Sequence, residues 1–195
     1  QKAKEILEEA IRETQKITDP HLKAEALGAI AKTLAEKDPQ KAKEILEEAI
    51  RETQKITDPY YKARALGAIA EATRTLAEKD PQKAKEILEE AIRETQKITS
   101  PYHKAEALGA IARTLAEKDP QKAKEILEEA IRETQKITSP YPKAEALRAI
   151  AEATRTLAEK DPQKAKEILE EAIRETQKIT SPYPKAWALG AIART

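Results

Sequence analysis

Apolar side chains return along this chain at the interval of a helix rather than of a strand. In residues 40–57 they fall at Ala42, Ile45, Leu46, Ala49, Ile50, Thr53 and Ile56, the i, i+3, i+4, i+7 series of a helix buried along one stripe. The segment carrying this pattern, QKAKEILEEAIRETQKIT, occurs unchanged starting at Gln1, Gln40, Gln82, Gln121 and Gln163, so successive starts lie 39, 42, 39 and 42 residues apart. A period in that range predicts a helical array. We call this segment helix B, expected over 1–18, 40–57, 82–99, 121–138 and 163–180. The stretches between its copies, 20–37, 59–79, 101–118, 140–160 and 182–195, are predicted to form a second, Ala-rich helix A.

The boundaries are marked by polar punctuation. Before helix B stands KDPQ, in which Asp38 is the expected N-cap and Pro39 takes the first helical position, where its missing N–H would be unpaired anyway. Before helix A the same role falls to Asp58 or Ser100, followed by Pro59 or Pro101. Pro142 and Pro184 fit the first turn for the same reason. The 39-residue copies lack three residues inside helix A, seen by setting AIAKTLAEKDP from Ala29 beside AIAEATRTLAEKDP from Ala68. Removing three residues shortens the helix by nearly a turn and keeps its apolar stripe on one side. The underlying period is therefore the 81-residue pair, which implies duplication of a two-hairpin unit, in nature or by design.

One helical hairpin cannot cover its own apolar faces, whereas stacked hairpins bury them against each other. The expected fold is all-α: an α-solenoid of stacked antiparallel hairpins with about ten helices, forming a single helical-repeat domain over 1–195. Gly28, Gly67, Gly109 and Gly190 recur at one site of helix A, with Arg148 in the fourth copy. Mid-helix Gly is unfavourable, so its recurrence predicts close backbone contact, and Arg148 is then expected to be partly exposed.

Composition narrows the function. With 36 basic and 35 acidic residues the net charge is +1, which gives no single-sign field for nucleic acid or an anionic membrane surface. No apolar run approaches the ~20 residues that cross a bilayer, so a soluble, cytoplasmic chain is expected. There is no Cys, which removes disulfides and thiolate metal sites. The Glu, Lys and Ile content without Cys or Met is similar to that of heat-stable proteins.

Candidate chemistry is sparse. Glu44, Glu48 and Glu52 form an i, i+4 row in every helix B. Such carboxylates bind cations or transfer protons in suitable sites, but here the row reads as a solvated face with weak pairs such as Lys43–Glu47. Identical copies do not make the unique, enclosed constellation that catalysis needs, so no catalytic, cofactor or metal residue is assigned and no enzyme is expected. His21 and His103 start helix A in two copies without an i, i+4 partner suited to a metal, and read as substitutions at an exposed turn. Tyr60, Tyr102, Tyr141 and Tyr183 place one ring per hairpin at the same corner, either packed between hairpins with a wet hydroxyl or forming a contact edge.

The segments KARALGAIA, Ala84 with Ala91 seven residues on, and Pro101 just after that helix resemble the tetratricopeptide (TPR) repeat. The units are longer than the usual 34 residues, and Ala stands where the signature has Trp and Tyr. The resemblance implies a right-handed superhelix whose helices A line a concave groove that binds a peptide or partner helix. Variation among the copies gathers on helix A: Leu22, Tyr61, His103, Pro142 and Pro184 at one position, and Glu25, Arg64, Glu106, Glu145 and Trp187 at another. Extended along the same face, the implied groove takes in Lys32, Glu71, Arg113, Arg148, Glu152 and Arg194. The carboxylate clamp of chaperone-binding members is not expected, because the matching positions include Ala29, Ala68 and Ala110. The alternative is a duplicated or engineered structural array with no evolved ligand. Its ends, which together lack only LAEKDP to complete a short copy, would then favour head-to-tail self-association.

Overall fold

The computed structural model describes residues 2–195, all of whose regular elements are α-helices. They are α1 (Lys2–Thr14), α2 (Pro20–Leu34), α3 (Pro39–Thr53), α4 (Pro59–Lys79), α5 (Pro81–Thr95), α6 (Pro101–Leu115), α7 (Pro120–Thr134), α8 (Pro140–Lys160), α9 (Pro162–Gln177) and α10 (Pro182–Ala193). Odd-numbered helices are copies of helix B and even-numbered helices copies of helix A. The chain divides into two compact units, Gln1–Lys97 and Ile98–Thr195. Each is a two-layer stack. In the first, α2 pairs with α3 and α4 with α5, while α2 lies beside α4 and α3 beside α5. In the second, α6 pairs with α7 and α8 with α9, and α6, α8 and α10 follow one another in the other layer.

Leucine and alanine close both seams. Leu27, Leu66, Leu108 and Leu147, one each from α2, α4, α6 and α8, have no exposed surface, and burying each such side chain contributes about 1.5–3 kcal/mol. On helix B, Ala42, Leu46 and Ala49 are likewise wholly buried, as the stripe requires. The Thr at the end of each stripe is admitted to this core because its hydroxyl finds a backbone acceptor. Thr53 donates to Ile50 O at 2.6 Å and Thr134 to Ile131 O at 2.6 Å.

Helix B stops at Thr53 instead of running to Thr57. Gln54, Lys55 and Ile56 donate to the carbonyls three residues back, at 3.1–3.2 Å, which tightens the last turn. This carries Ile56 out of the helix yet keeps it inside, with Ala24 and Ala65 in one apolar cluster. The short helices A end at Leu34 and Leu115, and in the turn that follows Lys37 N–H bonds Leu34 O at 2.9 Å. In the long copies the helix continues to Lys79 and Lys160, where Asp80 and Asp161 serve at once as C-cap and as N-cap of the next helix.

The caps form as the sequence predicts, with an instructive exception. Asp38, Asp80, Asp119 and Asp161 each accept the N–H of the third helical residue at 2.9–3.1 Å. Asp58 and Ser100 cap α4 and α6. Ser139 and Ser181 make no side-chain cap bond. The residue that would donate to them is Pro142 or Pro184, and proline has no N–H.

The recurrent glycine is not demanded by contact. A Cβ added to Gly28 would meet Ala68 O at 3.8 Å, and one on Gly109 would meet Ala149 O at 3.8 Å, both ordinary van der Waals distances. The expected tight backbone approach is absent at these two positions. Arg148 occupies the same site with its side chain 33% exposed.

Candidate functional site

The structure gathers the varying residues of helix A into small clusters on each unit. In the first unit, Glu25 of α2 faces Arg64 of α4, with Arg64 Nε 2.9 Å from Glu25 Oε1. Farther along the same two helices Lys32 meets Glu71 at 3.1 Å. At the N-terminal corner, Leu22 and Tyr61 line a surface pocket of about 400 Å³ with Pro20, His21, Ile56 and Thr57. Tyr61 stacks obliquely on His21 with ring centroids 4.5 Å apart and meets the Tyr60 ring edge-on at 5.1 Å.

In the second unit the same positions are chemically different. Glu106 and Glu145 both flank the Tyr102 hydroxyl, which donates to Glu106 Oε1 at 3.2 Å. Burial, and then these two carboxylates, push the Tyr102 phenol far above its ordinary range. His103 Nδ1 lies 3.3 Å from Glu106 Oε2. Arg148 reaches Glu152 at 2.6 Å and Glu145 at 3.8 Å, and its guanidinium lies 5.3 Å from the centre of the Trp187 ring. This is cation–π geometry. On the same two helices the Tyr141 and Tyr183 rings approach to 6.2 Å. Arg194 lines a smaller pocket, about 150 Å³, with Glu152 and Arg155. Arg113 is exposed on α6.

Three expectations change. The tyrosines are mostly exposed rather than packed between hairpins: Tyr60, Tyr61, Tyr141 and Tyr183 range from 44% to 72% exposed, and Tyr102 is partly buried. His21 does not stand at an open turn, since its side chain is only 12% exposed, beside Tyr61 and 3.2 Å from Glu25. The glutamate row of helix B is solvated only at its start. Glu44 is exposed and Glu48 half-buried, but Glu52, Glu94, Glu133 and Glu175 are buried.

Each buried glutamate is paired across its hairpin with a lysine of helix A. Lys23 and Glu52 are 3.4 Å apart, Lys62 and Glu94 3.5 Å, Lys104 and Glu133 3.2 Å, and Lys143 and Glu175 3.4 Å. A second, outer lysine three residues on, such as Lys55 or Lys97, joins from the solvent side. Burial alone would raise the carboxyls of Glu52, Glu133 and Glu175, but the two lysines outweigh it and hold them below the usual carboxylate range. The signal for these rungs was present in the invariant Lys and Glu of every copy, although their partnership depends on the hairpin register. Among the described residues no group of three or more His, Cys, Asp or Glu is placed to hold a metal, and no helix is long and apolar enough to cross a membrane.

Comparison with known proteins adds to the fold. A family model described as "YfdX protein" matches residues 92–182, just under half of the chain. No curated protein matches the sequence. Ton1535 from Thermococcus onnurineus NA1 is similar over 95% of this chain, with a TM-score of 0.59 and 26% identity. The chain spans 53% of that protein, about half its length. A putative kinesin light chain of Podosopora anserina with nearly identical TPR-like repeats aligns over 91% of this chain and 87% of its own, at a TM-score of 0.47 and 19% identity. BtubC (BKLC) from P. vanneervenii aligns over 96% and 79%, at 0.46 and 17%. The tandem antiparallel helix pairs, repeated at 39 and 42 residues, make this chain a TPR-like helical-repeat array and an all-α solenoid.

Proposed function

We propose that the chain is a non-enzymatic interaction scaffold whose helices A present a peptide- or protein-binding face. The reading is supported above all by where the copies differ. Helix B and the hairpin rungs are constant, whereas the exposed positions of helix A carry an Arg–Glu pair in one unit and an Arg148–Trp187 stack in the other. Exposed aromatics beside arginine are the side chains that most often anchor partners. A fixed frame with a varied lining suits recognition.

Trp187 is the only tryptophan, so its fluorescence reports directly on this face. Peptides selected from a random displayed library against the chain should perturb that fluorescence and lose binding on Trp187→Ala. They should keep binding after Glu44→Ala on the opposite layer. Selection that yields no binder, or binders indifferent to Trp187, would reject the reading.

A further inference from the structure

The corner where α2 and α4 begin holds a pocket of about 400 Å³. That is the lower end of the range of small-ligand sites, about 300–1,000 Å³, and gives room for one long side chain with its flanking backbone. Its lining comes from the starts of α2 and α4 and from the turn that joins α3 to α4. The wall is aromatic and apolar. Tyr61 lies against His21 with ring centres 4.5 Å apart, and His21 turns a buried Nε2 inward, 3.2 Å from Glu25 Oε1. Leu22, 54% exposed, and Ile56, 7% exposed, add the aliphatic part.

The rim is negative. Asp19 Oδ1 accepts the N–H groups of His21 and Leu22, and Asp58 Oδ1 those of Tyr60 and Tyr61. Each cap works through Oδ1, so Oδ2 of both carboxylates keeps its capacity to accept. The lining also includes Lys55, whose ammonium is taken by Glu52 at 3.0 Å. At the corresponding positions of α6 and α8 stand Ser100 and Ser139, which carry no charge, and Pro142 replaces Tyr61. Ring and carboxylates are therefore combined in the first unit and lost together in the second.

Resting on the scaffold reading, we propose that this corner is a specificity pocket for an arginine side chain of the bound peptide. A guanidinium is flat, so it lies against the Tyr61 ring while its N–H fork reaches the carboxylate of Asp19 or Asp58. Its methylene stem covers Leu22 and Ile56. Lysine matches the charge of the rim but has no flat face, and a neutral side chain leaves both carboxylates unused. One turn farther along α4 the chain already makes this kind of contact with itself, where Arg64 joins Glu25 and the Tyr60 hydroxyl.

Nuclear magnetic resonance titration of the whole chain with the peptide acetyl-Gly-Arg-Gly-amide tests this, beside the same peptide carrying lysine or citrulline, which keeps the shape of arginine without its charge. The arginine peptide should shift the backbone amides of Leu22, Thr57 and Tyr61 saturably. The citrulline peptide should bind on the order of fivefold more weakly, with lysine between the two. Asp58→Ser removes one carboxylate and leaves a capping side chain, as Ser100 is for α6, so it should weaken the arginine peptide on the order of threefold with helix content unchanged by circular dichroism. Asp19→Ser added to it should abolish the preference for arginine over citrulline. Arginine and citrulline peptides that bind the parent chain equally, or an arginine peptide that shifts no amide of the corner up to its solubility limit, overturn the pocket. A lysine peptide that binds as tightly as arginine overturns the choice of arginine. A corner that fails these tests while library binders still require Trp187 leaves the scaffold standing and removes the arginine pocket alone.

Discussion

Among the interhelical ion pairs of this molecule, two kinds contrast in burial and in how far their positions vary. Lys62 and Glu94 join the two helices of one hairpin, with side chains 10% and 5% exposed. Arg64 and Glu25 join successive helices A, with side chains 57% and 29% exposed. The Arg64 pair is the shorter, at 2.9 Å against 3.5 Å, yet its positions vary among copies while those of the buried pair never do. Distance therefore says less than burial. A buried charge left alone cannot recover its hydration, so both members of that pair are held together, whereas an exposed one simply turns to water.

The strongest break of this comparison is Glu94→Ala. It strands Lys62 between α4 and α5, and we expect a loss of about 3 kcal/mol in unfolding free energy, measured from urea denaturation. Replacing Lys62 by Met in the same chain should return much of that loss, because no buried charge then remains. A loss below about 1 kcal/mol for Glu94→Ala would show that water reaches the rung.

The rungs also predict the response to acid. Glu52, Glu133 and Glu175 have carboxyls held below their ordinary values, so the unfolded chain binds protons first as pH falls. Their stabilisation is fully present above the unfolded value of about 4.3 and is lost as pH drops through the lower, folded range. Unfolding free energy should be level from neutrality to about pH 5 and fall below that. A chain whose stability instead rises on acidification would mean that burial, not the lysines, dominates these groups.

The hairpins were legible from the sequence because a 3.6-residue stripe and Asp-Pro or Ser-Pro stops repeat without interruption. Ala42, Ile45 and Leu46 are buried where the stripe puts them. Glu52 was not legible as a buried residue. Its partner Lys23 lies on another helix, and on polarity alone a glutamate near a helix end reads as surface. The clusters on helix A were half legible. Arg64 follows Glu25 by that repeat's 39 residues, and Trp187 follows Glu145 by its repeat's 42 with Arg148 three residues on from Glu145, so helix register brings both pairs near each other. The ring exposure of the tyrosines depends instead on how far each corner stands clear of its neighbour, which no local pattern encodes.

A smaller effect separates propensity from packing. Gly109 lies in the middle of α6, fully covered, with room for a methyl group 3.8 Å from Ala149 O. Gly109→Ala should raise stability by about 0.5–1 kcal/mol through the unfolded chain's lost freedom. Destabilisation would show that the layer formed by α6 and α8 cannot yield even a few tenths of an ångström.

The smallest effect belongs to the exposed pair. Glu25→Ala, Arg64→Ala and the double substitution form a cycle in which the coupling should fall within the error of denaturation midpoints, and should shrink further in salt. Arg64 also reaches the Tyr60 hydroxyl at 3.5 Å, and Glu25 also lies beside His21, so each single variant leaves its partner another contact. That redundancy is what allows the position to become Glu106, Glu145 or Trp187 in other copies while the frame stays fixed. A large, salt-insensitive coupling would place this pair with the buried rungs, and would make its variation among the copies a matter of stability instead of recognition.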